Sequence, residues 1–274
     1  TLMNALVGEK LSIVTAKAQT TRHRIRGIVN GENYQIVYSD TPGILKPNYR
    51  LQENMMKFVN GAIGDADIIL YVTDTVETSD KNEDYVSRLN DLECPVIVVI
   101  NKIDISDQTR VKELMTWWQE HVPAATVIPA SASEKFNMES IIDAVVSRLP
   151  VCPPWFDKDA FTDKSLRFFA SEIIREKILL NYKEEIPYCC EVGIETFKEG
   201  SERYDIGAVI YVMRESQKGI IIGKQGASLK KVGTQARIEM EDFFQKKVFL
   251  SIYVKTDPDW RESRKELRKF GYEE

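Results

Sequence analysis

Five β-branched residues in a row, Val96-Ile97-Val98-Val99-Ile100, end abruptly at Asn101-Lys102-Ile103-Asp104. A strand that is apolar at every position must be covered on both faces, which predicts a mostly parallel sheet packed between helices. Strand-like runs at 34–39, 67–73 and 126–128 alternate with helix-like stretches near 49–63, 80–92, 107–120 and 137–148, as such an α/β fold requires. The tetrad 101–104 therefore falls beyond the carboxyl end of a buried strand, where open α/β sheets place their ligands.

The chemistry of that tetrad is selective. A carboxylate at Asp104 can accept from the N1–H and exocyclic amine of guanine together. Adenine has no such donor pair and would leave the carboxylate unsatisfied. Asn101 and Lys102 are expected to secure the neighbouring loop and cover the base. Asp40-Thr41-Pro42-Gly43 follows the strand 34–39 at its own carboxyl end. There Asp40 is expected to hold Mg2+ through water and Gly43 to bring its amide to a γ-phosphate, an approach that needs a residue without a side chain. Backbone amides at Ser131-Ala132, after the strand 126–128, are expected to face the guanine O6. In Gln19-Thr20-Thr21-Arg22 a threonine is expected to ligate Mg2+, with Thr21 preferred over Thr20. Thr21 and Gly43 are thus placed nearest the chemistry, and GTP or GDP is the expected ligand. No GxxxxGK[ST] loop occurs in the sequence, and Gly219 to Gln225 has one spacer too few to supply it. Residues 1–8 read instead as the helix that follows such a loop, capped at Gly8.

A proline-rich break, Leu149 to Trp155, ends the first pattern. We expect a nucleotide domain over 1–150, a linker over 151–164 and a second domain over 165–274. The second domain reads as a helix (165–181), two strands (188–198 and 203–213), two helices about a glycine turn (219–244), a strand (248–255) and a last helix (259–269). Residues 1–163 carry 16 basic and 23 acidic side chains, whereas 164–274 carry 21 and 19, so charge permits a nucleic-acid partner only for the second half. Ile220-Ile221-Ile222-Gly223-Lys224-Gln225-Gly226 is an apolar run entering a GxxG turn between helices. Such a turn lets helix amides and Lys224 meet phosphates while apolar groups receive unstacked bases. Ile222, Gly223, Lys224, Gln225, Gly226, Lys230 and Lys231 are the expected RNA contacts. With two strands before the turn and one after it, the arrangement is that of an α+β type II KH domain.

The four cysteines, Cys94, Cys152, Cys189 and Cys190, have neither CxxC pairing nor zinc-ligand spacing, and they read as reduced thiols of a cytoplasmic protein. No apolar run approaches the roughly 18 residues needed to span a bilayer.

QTTRHR (19–24), DTPG (40–43), NKID (101–104) and SAS (131–133) precede a proline-rich linker, ASEIIREK (170–177) and GIIIGKQGASLKKVG (219–233). In this combination the chain resembles the Era family of bacterial GTPases. The resemblance implies a P-loop GTPase domain followed by the KH domain. It further implies binding near the 3′ end of 16S ribosomal RNA, a role in 30S subunit assembly, GTP-dependent exposure of the RNA surface and peripheral association with the inner membrane. A monomer is expected. Ile44 stands where many switch GTPases carry a water-orienting Gln, so slow hydrolysis aided by K+ is a further expectation. Two other readings remain open at this point: an RNA-binding module with a non-hydrolysing nucleotide domain, and a membrane-surface GTPase using the partly basic 259–270 segment.

Overall fold

The computed structural model describes residues 1–15, 17, 19–76 and 83–273. In chain order the elements are α1 (Leu2–Val7), β1 (Ile25–Asn30), β2 (Gln35–Asp40), α2 (Arg50–Gly64), β3 (Ile69–Asp74), α3 (Glu83–Asn90), β4 (Val96–Asn101), α4 (Gln108–His121), β5 (Thr126–Pro129) and α5 (Met138–Val146). There follow α6 (Leu166–Asn181), α7 (Ile186–Cys189), β6 (Cys190–Glu199), β7 (Arg203–Val212), α8 (Glu215–Ile222), α9 (Ala227–Phe244), β8 (Lys247–Thr256) and α10 (Arg264–Lys269).

The contacts group these elements into two compact units. The first comprises Thr1–Lys10, Gly27–Ser39 and Gly61–Thr162. Its β3, β4 and β5 form a parallel sheet in that order, with Ile69 opposite Val96 and Ile97 opposite Thr126. Val96 to Ile100 are all buried, as their composition requires. Val96, Val98 and Ile100 pack with Val86 and Leu89 of α3 and with Leu114 and Trp118 of α4. Gly8 closes α1 in the left-handed region (φ 86°), its N–H donating to the Asn4 carbonyl at 2.9 Å. The linker strand-pairs with β1 through an isolated bridge between Gly27 and Thr162. It is also held by Gln35, whose Oε1 accepts from the Trp155 and Phe156 amides.

The second unit comprises Leu11–Arg26, Asp40–Asn60 and Asp163–Glu274. Its sheet is mixed, with order β6-β7-β8, β6 antiparallel to β7 and β7 parallel to β8. One face is covered by α6, α8 and α9, where Ile174, Ile178, Ile221, Val232, Ala236 and Met240 meet Ile206, Ala208 and Ile210. A second core joins Leu51 and Met55 to Tyr211, Trp260, Leu267 and Tyr272.

Four details differ from the expectations. Strand β1 carries no continuous apolar run and escaped the pattern. The strand expected from 188 begins at Cys190, because Pro187 opens the single-turn helix α7. The glycine turn's first helix begins at Glu215, earlier than 219. The last helix starts at Arg264, where Ser263 Oγ accepts the Glu266 amide, and not at 259. The expected start of a helix at 80 lies outside the described residues.

Candidate nucleotide and RNA-binding sites

In the first unit the carboxyl ends of β4 and β5 carry the predicted base-recognition residues. One Asp104 oxygen accepts the Ser131 hydroxyl at 2.5 Å, and the exposed carboxylate keeps its second oxygen unbonded. Asn101 Oδ1 accepts the Ala132 amide at 3.0 Å, tying the two loops together. Ser131 also accepts the Glu134 amide (3.2 Å) and forms a bridge with Phe136, so the 131–136 loop is rigidly turned. Lys102 adopts a left-handed backbone (φ 62°) and donates Nζ to Asp74 at 2.6 Å. Ser131 N–H donates to the Phe136 carbonyl and Ala132 N–H to Asn101 Oδ1, so both amides lie in the loop that also holds Asp104.

In the second unit Asp40 lies at the end of β2. Its Oδ2 accepts the Ser12 hydroxyl at 2.6 Å, and the Thr21 hydroxyl stands 3.5 Å from the same atom. The Thr20 hydroxyl is committed elsewhere, to the Lys17 carbonyl at 2.7 Å and the Thr15 hydroxyl at 2.9 Å. Burial raises the Asp40 carboxyl above its ordinary range, with the Ser12 hydrogen bond opposing. Ser12 was missed in the sequence, since an isolated serine after a helix cap carries no signal. Pro42 is buried and Gly43 exposed, with nothing within 4 Å of a Cβ placed on it. One carboxylate flanked by hydroxyls is a hard-oxygen set that suits Mg2+, which keeps waters and takes phosphate oxygens in place of an all-protein cage. Among the described residues no group of three or more His, Cys, Asp or Glu could form such a cage.

The segment that carries Thr21 is gripped by buried charges. Arg22, 3% exposed, donates Nη1 to the Cys190 carbonyl (2.8 Å) and Glu191 (3.0 Å) and Nη2 to the Pro187 carbonyl (3.1 Å). The Tyr272 hydroxyl donates to the same Glu191 oxygen at 2.6 Å. Burial alone works to raise the Glu191 carboxyl, but the charges of Arg22 and Arg175 outweigh it and hold it below the usual range. Arg175 forks onto Glu172 (2.8 and 2.7 Å) and donates to the Thr20 carbonyl at 2.5 Å. Glu176 accepts the Val14 amide at 3.2 Å. The charged residues of ASEIIREK are therefore interior; helical periodicity alone reads them as a solvated face.

The GxxG turn joins α8 to α9. Gly223 has φ 70° and ψ 177°, a conformation open essentially only to glycine, and a Cβ there would lie 2.7 Å from Ser228 Cβ. Gln225 (φ 51°) and Gly226 (φ 76°) continue the turn. Lys224, Gln225, Lys230 and Lys231 are exposed, and Ile222 is half-buried beside them.

A 50S ribosome-binding GTPase family model matches residues 1–102 and a KH-domain model matches 185–261. The chain is 42% identical to the GTPase Era of Xylella fastidiosa, over 100% of this chain and 92% of the relative. It is 41% identical to the chloroplastic GTPase ERA1 of Zea mays, over 99% of this chain and 67% of that one. Among solved structures, Era in complex with MgGDPNP and nucleotides 1506–1542 of 16S ribosomal RNA superposes with a TM-score of 0.95 at 37% identity, covering 100% of this chain and 94% of the other. A variant of Aquifex aeolicus Era bound to GDP·AlF4− gives the same TM-score at 36% identity, covering 100% and 94%.

Proposed function

The chain belongs to the Era family of GTPases, and from that premise we propose that it is a GTP-driven switch acting on the 3′ region of small-subunit (16S) ribosomal RNA during 30S assembly. The observation that carries the nucleotide half is the carboxylate of Asp104, fixed on one oxygen by Ser131 and free on the other, beyond a buried strand. Two converging guanine donors suit that free edge, and Asn101 holds the loop that presents it. Lys102 supplies an aliphatic stem to cover the base. Asp40 and Thr21 would hold Mg2+, with Thr41 and Pro42 shaping the turn that presents the Gly43 amide. Bound Mg2+ would neutralise charge developing on the phosphates. Ile44 cannot orient a water, so hydrolysis leans on backbone donors, and turnover is slow and faster in K+ than in Na+. Equal rates in the two salts would remove the cation from this reading.

The RNA half rests on the GxxG turn, where Gly223 and Gly226 permit close approach of a sugar-phosphate backbone and Lys224, Gln225, Lys230 and Lys231 surround it, with Ile222 facing the bases. In this reading the nucleotide domain runs over 1–150, the linker over 151–164 and the RNA-binding domain over 165–274. The protein acts as a cytoplasmic monomer that touches the inner membrane peripherally. No helix among the described residues is long and apolar enough to cross a membrane. Vesicle flotation tests the membrane contact. The deciding experiment is crosslinking to total cellular RNA with and without a non-hydrolysable GTP analogue. Crosslinks concentrated at the 3′ end of the small-subunit RNA and strengthened by the analogue are expected; crosslinks scattered over other RNAs would overturn the assignment.

A further inference from the structure

The mixed sheet of the second unit leaves one face of β8 exposed to solvent. Alternation along β8 sends Val248, Leu250, Ile252 and Val254 toward the helices, where they join the core. Lys247, Phe249, Tyr253 and Lys255 therefore point the other way, and all four are exposed, Phe249 by 56% and Tyr253 by 67%. A monomeric fold gains nothing from leaving two large rings of one strand face in water.

What separates the rings is small. Ser251 lies between them and pairs with Gly207 of β7, which in turn lies opposite Thr196 of β6. A Cβ on Gly207 would come within 2.5 Å of Thr196 Oγ1, so the middle of this face is a shallow, polar floor. The rings stand four residues apart, about 13 Å along the strand. The rim is cationic. Lys247 and Lys255 end the strip, and Arg203, paired across from Lys247, stands with its guanidinium 5.5 Å from the Phe249 ring centre. Asp205, opposite Phe249, pairs with Arg203 at 3.0 Å.

Exposed aromatic rings on an open sheet, with small polar residues between them and lysines at both ends, form a stacking platform for unpaired bases. We propose that this face is a second contact surface for single-stranded RNA, separate from the GxxG turn. It extends the RNA reading above to longer strands: a short oligonucleotide occupies the GxxG turn, and a longer one also stacks on Phe249 and Tyr253.

The test uses the whole chain and two fluorescently labelled uridine-rich RNAs, of 6 and 20 nucleotides, titrated by anisotropy. Phe249→Ala with Tyr253→Ala weakens binding of the 20-mer by about tenfold or more, from the ordinary strength of base–aromatic stacking, and leaves the 6-mer unchanged. Lys247→Glu with Lys255→Glu reduces the salt dependence of 20-mer binding, again without effect on the 6-mer. Ultraviolet crosslinking of the 20-mer marks the peptide holding Phe249 and Tyr253. If 20-mer affinity and salt slope are unchanged in both double variants and no crosslink falls on β8, the proposal is wrong and the face is left to a protein partner. Gly226→Asp separates the two readings: it weakens both RNAs if the turn is the primary contact, and failure of the turn reading alone leaves the β8 effect in place.

Discussion

Asp104 shows how much recognition a single carboxylate can hold when its surroundings decide which oxygen is available. Ser131 occupies one oxygen, so the other is presented in a fixed orientation. Asp104→Asn replaces an acceptor with a donor there. Competition binding should show guanine preference falling by about two orders of magnitude in favour of xanthine nucleotides, as expected for a lost pair of charge-assisted hydrogen bonds. Ser131→Ala, which frees Asp104 to turn, should weaken GTP about fivefold to tenfold without changing base preference, a loss of about 1 kcal/mol. The two turn glycines differ in the same residue-level way. A Cβ at Gly226 meets no atom within 4 Å, and Gly226→Asp costs about 1–2 kcal/mol of backbone strain, so it should fold and lose RNA. Gly223→Asp drives its Cβ into Ser228 and should also lower the melting temperature. Thermal melts beside RNA titrations distinguish the two variants.

At the scale of elements, α6 is the part whose role periodicity conceals. Its Glu172, Arg175 and Glu176 are all under 7% exposed; Arg175, held by Glu172, donates to the Thr20 carbonyl, and Glu176 accepts the Val14 amide. An ion pair with both members buried is costly to break from one side. Glu191→Gln leaves Arg22 without its counter-charge and should destabilise the protein by about 3–5 kcal/mol in urea titration. Replacing Arg22 and Glu191 together with Met and Leu should recover much of that loss. A double variant no more stable than Glu191→Gln would show that the pair contributes through contacts other than charge. Trp260 is wholly buried against Leu51 and Met55, with Nε1 donating to the Cys189 carbonyl at 3.2 Å. Trp260→Ala should cost about 3–5 kcal/mol by the same measurement.

For the molecule as a whole, one buried imidazole couples folding to pH. His23 is stacked on Tyr272 with ring centres 4.1 Å apart and meets Phe168 edge-on at 5.4 Å. Burial depresses its pKa to about 4, and the nearby carboxylates of Glu172 and Glu191 only partly oppose this. Between that value and the ordinary 6.5 the unfolded chain binds the proton and the folded chain does not, so stability falls as pH drops through the window. The loss should approach about 3 kcal/mol by pH 4, and His23→Phe should flatten the urea midpoint between pH 6.5 and 4. The parallel sheet, the NKID and DTPG loops, the proline break and the GxxG turn were all legible in the sequence, because each is local: an apolar run must be buried, a proline ends a helix, and a left-handed turn needs glycine. The burial of Arg22 beside Glu191, the closeness of Ser12 to Asp40 and the hydrogen bonds of the Ser131 and Ala132 amides were not. Those depend on residues distant in the chain, and nothing in the spacing of charged side chains tells a solvated face from one whose charges have been neutralised by a partner brought up from elsewhere.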